Sequence, residues 1–77
     1  MDKYFIEKVG KNIKRIREEK GLTQIELAVD AGLASSTIGM FETAKNDMTL
    51  SKINAIAKAL GLEAYELLIF KDSNNSN

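Results

Sequence analysis

Glycines at positions 21, 32 and 61 each close a stretch in which apolar residues recur every three or four positions, a punctuation that restricts the chain to short helices. In the first stretch Ile6, Val9, Ile13 and Ile16 form one stripe, with Lys3, Lys8, Lys11, Lys14, Arg15 and Glu18 largely off it. That is the pattern of an amphipathic helix. It is expected to stop near Lys20, where Gly21 suits a left-handed residue and Arg17 and Lys20 set positive charge against the last carbonyls. Thr23 and Glu26 then read as a capping box opening a second helix, which carries Ile25, Leu27, Ala28 and Ala31 and ends at Gly32. At about eight residues it is too short to stand alone in water and must pack on neighbours. A third short helix is expected over Ser35–Glu42, with Ile38 and Phe41 facing inward and small polar residues on the other side. After a loop from Ala44 to Met48, Asp47 or Thr49 can cap a fourth helix whose stripe is Leu50, Ile53, Ile56, Ala57 and Leu60. A fifth apolar piece runs from Glu63 to Phe70. The expected fold class is therefore all-α, five short helices in one domain over residues 1–71. The polar tail 72–77 has nothing to bury and is expected to be disordered.

Composition removes most catalytic chemistry. The 77 residues include no Cys, no His and no Pro. A disulfide framework, a thiolate or imidazole metal site, and Ser-His or Cys-His catalysis are all excluded. Asp, Glu and Lys alone offer no spaced constellation, so the chain is not expected to be an enzyme or to hold a cofactor. No apolar run approaches the roughly 20 residues of a membrane span. Met1 to Lys14 carries neither an apolar h-region nor a small-residue cleavage site, so the expected location is the cytoplasm.

The formal net charge is zero, but its distribution is uneven. Residues 1–20 hold seven basic and four acidic side chains (+3), residues 21–50 hold Lys45 against Glu26, Asp30, Glu42 and Asp47 (−3), and the remainder balances. A positive N-terminal lobe suits phosphate contact. The acidic middle needs an explanation.

The second and third helices are separated only by a few residues around Gly32, a turn that sets two helices at a steep angle. Gly21-Leu22-Thr23-Gln24-Ile25-Glu26-Leu27-Ala28, Ala31-Gly32-Leu33, Ser36-Thr37-Ile38, Phe41-Glu42 and Ile56-Ala57-Lys58-Ala59-Leu60-Gly61 occur in that order. In these segments, over roughly residues 9 to 68, the chain resembles the phage repressor and Cro-like (XRE) helix-turn-helix family. That family includes phage-type regulators, restriction-modification controllers and antitoxins. Leu27, Ile38 and Ile56 are expected to meet in the core, Ala28 is small where two helices approach, and Gly32 supplies a positive φ.

The resemblance implies a transcriptional regulator that binds double-stranded DNA, with the third helix (about 35–43) in the major groove. It implies that Ser35, Ser36, Gly39 and Met40 face bases, with Ala34 beside them. Gln24, Thr37, Thr43, Lys45 and Asn46 are assigned to phosphates, and Arg17 and Glu42 to a structural ion pair. The chain departs from the family's usual pattern at Ala34, Ser35 and Met40, where no side chain can make the bidentate arginine or glutamine contacts to a base. Readout should then rest on hydroxyls, on Met40 or Ala34 against thymine methyls, and on DNA shape. The family's glycine after the third helix is Ala44 here.

Other uses of these residues stay open. The hydroxyls of Ser35, Ser36 and Thr37 can cap a short helix, Lys45 and Asn46 can be loop polarity, and the basic residues of the first helix can be a solvated face from which one or two of Lys11, Lys14 and Arg15 reach DNA. Tyr65, Leu67, Leu68, Ile69 and Phe70 are too contiguous for one helix face, which points to a homodimer interface at Tyr65, Leu68, Ile69 and Phe70 and hence a near-palindromic operator with half-sites roughly 34 Å apart. An ordinary closing helix is the alternative. A protein-interaction module on the same fold, antitoxin-like, with weak or no DNA binding, is the competing function, favoured by the acidic middle.

Overall fold

The computed structural model describes residues 2–70, which form helices α1 (Lys3–Glu19), α2 (Gln24–Ala31), α3 (Ser35–Glu42) and α4 (Leu50–Ala59), then a short 3₁₀ helix (Ala64–Leu68). No strand occurs among the described residues. The expected tail 72–77 lies outside them. Three helices start on a side-chain cap. The Asp2 carboxylate accepts from Phe5 N at 3.1 Å, and Thr49 Oγ1 accepts from Lys52 N at 3.3 Å. The capping box of α2 is complete, with Glu26 N donating to Thr23 Oγ1 at 3.0 Å and Thr23 N to Glu26 Oε1 at 2.9 Å. Only α3 differs, since Ala34 at its N-cap has no side-chain acceptor to offer.

All four α-helices end the same way. An amide two or three residues past the end reaches back five positions: Leu22 to the Arg17 carbonyl, Leu33 to Ala28, Lys45 to Met40, and Leu62 to Ala57. This Schellman closure needs a left-handed residue just before that amide. Gly21, Gly32 and Gly61 supply it without strain, whereas Ala44 does so at φ 57°. The Ala44 methyl is buried, and that burial, worth about 0.8 kcal/mol, offsets much of the 1–2 kcal/mol that an L-residue costs there.

The core is continuous. Val9, Ile13 and Ile16 of α1 meet Leu27 and Ala28 of α2, Ile38 and Phe41 of α3, Ile53, Ile56 and Ala57 of α4, then Leu60 and Leu67. The stripe expected on α4 is corrected at its first member, because Leu50 is 86% exposed. It is the first residue of the helix, and no described element covers it. The fifth element also differs from an α-helix. The chain makes one 3₁₀ stretch and turns extended at Ile69. The reason is Asn12, buried on α1, whose Nδ2 donates to the carbonyls of Leu67 at 2.8 Å and Ile69 at 3.1 Å. Those two oxygens are held by a side chain instead of by a continuing helix.

Gly10 sets how closely α1 approaches α3. A Cβ built on it would lie 2.2 Å from the Phe41 carbonyl oxygen, so the two backbones touch where any side chain would separate them. Gly10→Ala is expected to lower stability by about 1–3 kcal/mol through overpacking, despite the gain in helix propensity. Urea unfolding followed by circular dichroism measures it.

Candidate nucleic-acid interface

Only Gly32, Leu33 and Ala34 separate α2 from α3. Leu33 packs on the core, so the turn is anchored and the two helices keep one mutual angle. Ile38, Phe41 and Glu42 turn α3 inward, leaving Ser35 and Ser36 exposed and Thr37, Gly39 and Met40 half-buried. None of the hydroxyls of Ser35, Ser36 or Thr37 caps the helix, which removes that alternative use. The first amides of α3 have no side-chain acceptor, and the positive end of the helix dipole stands uncovered.

Behind this surface lies a buried polar network. Arg17 Nε donates to Glu42 Oε2 at 2.6 Å and Arg17 Nη2 to Glu42 Oε1 at 3.1 Å, a bidentate pair. Arg17 Nη1 donates to the Leu22 carbonyl at 2.7 Å. The Glu42 side chain is 2% exposed. Gln24 Nε2 also donates to Glu42 Oε1, at 3.0 Å, and a methyl on Gly39 would lie 3.7 Å from Gln24 Oε1. One carboxylate thus joins α1, the start of α2 and the end of α3. The hydrogen bond from Arg17 to Glu42, aided by their charges and opposed by burial, raises the guanidinium pKa above its ordinary value. A folded-state pKa raised above the unfolded one adds stability that is complete below the unfolded value and lost only above it. The pair therefore contributes nothing to pH dependence near neutrality through Arg17.

The other residues expected at phosphates are arranged less uniformly. Thr43 Oγ1 donates back to the Gly39 carbonyl at 2.8 Å, and Asn46 Nδ2 donates to Met40 Sδ at 3.3 Å. Lys45 is exposed and in no ion pair among the described residues. On α1, Lys11 and Lys14 are exposed. Arg15 is held instead by Glu19 at 2.9 Å and by Asn12 Oδ1 at 2.5 Å. Tyr65, Leu68 and Ile69 stand exposed, whereas Phe70 turns back on α1, edge-on to Phe5 at 5.8 Å and under the Lys8 ammonium at 4.7 Å.

Sequence reasoning passed over Gly10 and Asn12. Position 12 lies on the apolar stripe between Val9 and Ile16, and a polar residue there signals a buried partner. The glycine inside an otherwise strong helix carried a similar signal.

Among proteins of known sequence, a family model described as helix-turn-helix matches residues 13–67. The chain is 42% identical over 55 residues to an immunity repressor protein of Bacillus phage phi105, covering 71% of this chain and 38% of the repressor's length. Its fold is similar to the restriction-modification controller protein C.AhdI from Aeromonas hydrophila, with TM-score 0.79 and 35% identity over 80% of this chain and 94% of that one. It is also similar to a hypothetical transcription factor, NHTF, from Neisseria, with TM-score 0.85 and 30% identity over 99% and 88% of the two chains.

Removing one partner of the central pair strands a buried charge. Arg17→Ala is expected to cost about 3–5 kcal/mol, whereas removing both charges, as in Arg17→Met with Glu42→Leu, should cost much less. Denaturant unfolding of the two single variants and the double variant gives the comparison.

Proposed function

The chain belongs to the helix-turn-helix family, and on that premise we propose that it is a cytoplasmic regulator of transcription that binds double-stranded DNA sequence-specifically as a homodimer. The observation that carries this reading is Gln24. Its amide is held by the buried Glu42 and lies beside Gly39 on α3, where one more N–H suits a phosphate oxygen, and the start of α3 is left uncapped. In this reading α3 lies in the major groove. Ser35, Ser36, Gly39 and Met40 face bases, and Gln24, Thr37, Thr43, Lys45 and Asn46 line the backbone. With two hydroxyls, a thioether and a glycine in the groove, direct readout is sparse and the operator's shape carries much of the preference. Two copies joined through the Tyr65–Ile69 segment would read a near-palindromic site.

The exposed Ile25 and Val29 beside Glu26 and Asp30 on α2 favour a second reading, a protein-interaction module. Salt separates the two. Phosphate-driven binding weakens steeply as salt rises, whereas an apolar protein interface does not.

Selection from a random duplex pool at about 100 mM salt, a range in which phosphate contacts still hold, should return a near-palindromic site. Gln24→Ala should weaken every site about equally, by roughly tenfold or more for a hydrogen bond to a charged group. Substituting Ser35, Ser36 or Met40 should shift the preferred sequence, and a preference unmoved by all three would end the base-facing assignment.

Gly39→Ala separates function from folding. The new methyl meets Gln24 only at ordinary contact distance, so stability should rise by about 0.5–1 kcal/mol while operator affinity falls. Thermal melting and a fluorescence titration on one sample read both. Affinity equal to the parent's would place Gly39 away from the groove.

A further inference from the structure

The chain returns to Met40 twice after α3 has ended. The Met40 carbonyl accepts from the Lys45 amide at 2.9 Å, and its thioether accepts from Asn46 Nδ2 at 3.3 Å. The second contact depends on the first. Lys45 reaches back because Ala44 takes the left-handed conformation at φ 57° with its methyl buried, and that reversal brings the next residue, Asn46, to the Met40 side chain. Met40 itself is on the outward side of α3. Ile38, Phe41 and Glu42 are buried, whereas Met40 is half-buried and shares a helical row with the exposed Ser36, four residues earlier. Among Ser35, Ser36, Thr37, Gly39 and Met40 it alone is large and apolar. A methionine without such a contact discriminates poorly between surfaces. Its unbranched chain adapts to many shapes, and fixing its rotamers on binding costs affinity. Asn46 removes part of that freedom in advance. Because a thioether sulfur is a weak acceptor, the bond biases the side chain without locking it.

We propose that Asn46 is a positioning residue for specificity: by holding the Met40 sulfur it aims the terminal methyl at one thymine C5-methyl in each half-site. The inference rests on the DNA-binding reading and deepens it, because it names the base feature that α3 selects. Two observations support that choice. The sulfur is the only polar atom of the Met40 side chain, and Asn46 already engages it. What Met40 then presents is its methyl, and the thymine C5-methyl is the apolar group on the major-groove edge of the bases. Asn46, for its part, is exposed and makes no other hydrogen bond among the described residues. Its second N–H suits a phosphate oxygen, so that one side chain links the register on the backbone to the contact with a base. An asparagine that touched phosphate alone would strengthen every site equally. Asn46 instead favours the sites that carry thymine opposite Met40.

The test takes the site recovered from the random pool and replaces each thymine in turn by deoxyuridine, which removes only the C5-methyl. For the parent chain one position per half-site should lose about fourfold in affinity, the worth of one buried methyl. Met40→Ala should erase that loss. Asn46→Ala, which leaves Met40 in place, should cut it to about twofold or less, and adding Asn46→Ala to Met40→Ala should leave the thymine-to-uracil ratio unchanged. Circular dichroism checks that each variant folds. An Asn46→Ala chain that binds both duplexes more weakly by one common factor would make Asn46 a phosphate contact alone, overturning the inference while the regulator stands. A parent with no thymine sensitive to Met40 would overturn it too. The DNA-free chain gives a separate readout in the carbon-13 signal of the Met40 methyl, which reports rotamer averaging. Asn46→Ala should move that signal toward the averaged value, and an unmoved signal would overturn the hold on the sulfur. A pool that returns no site would end the regulator reading, and the base assignment with it.

Discussion

Arg17 and Glu42 make the interaction on which the rest of the structure depends. The two side chains leave water together, and the isolated Glu42 carboxylate would be untenable at 2% exposure. Each of its oxygens is matched: Oε2 by Arg17 Nε, and Oε1 by Arg17 Nη2 and Gln24 Nε2. The remaining guanidinium nitrogen reaches the Leu22 carbonyl in the turn before α2. Three helices and one turn thus share a single polar cluster, and it is satisfied. No buried side-chain nitrogen or oxygen among the described residues lacks a partner. A buried pair of this kind contributes little net stability compared with apolar residues of the same shape, so its value lies in orientation. It fixes Gln24 relative to α3, which packing of Leu27 on Ile38 alone would leave free to slide.

That cluster forms only because α1 comes close enough, and Gly10 permits the approach. The same helix carries Asn12, buried two residues further on, and Asn12 holds the last segment of the described chain. By taking two carbonyls of the last segment it replaces the hydrogen bonds that an α-helix would have made. The 3₁₀ stretch that results sorts Leu67 inward and Leu68 outward, although they are neighbours in sequence with the same side chain. α1 is therefore the frame both for the α2–α3 unit and for the C-terminal 3₁₀ segment.

The acidic middle of the chain has a structural account. Of its four carboxylates, Glu42 is paired with Arg17, Glu26 closes the capping box of α2, and Asp47 accepts from the Met48 amide in the loop before α4. Each offsets partial or full positive charge already present in the fold. Only Asp30 has no such role among the described residues. The −3 balance of residues 21–50 thus reflects how short helices are started and joined, and it weighs less against a phosphate-facing surface than the sum suggests.

The local grammar of this protein was written in its residue order. Glycines 21, 32 and 61, the Thr23–Glu26 box and the three-four spacing of Ile6, Val9, Ile13 and Ile16 act within one or two helical turns, and such short-range physics is readable from neighbours alone. Membership in a helix-turn-helix family was legible for the same reason, because its signature is a run of such local devices in order. Ala44 lay at the edge of that grammar, since it takes the glycine's conformation only because its methyl is buried. Gly10, Asn12 and the hold of Glu42 on Gln24 depend on residues 18 to 57 positions away, and the exposure of Leu50 depends on what the packed fold leaves uncovered. A spacing pattern cannot contain them. Leu50 fits its helical stripe as well as Ile53 does, and only the absence of a covering element at the start of α4 leaves it in water. Tertiary structure made those decisions because burial and backbone contact are properties of the packed whole.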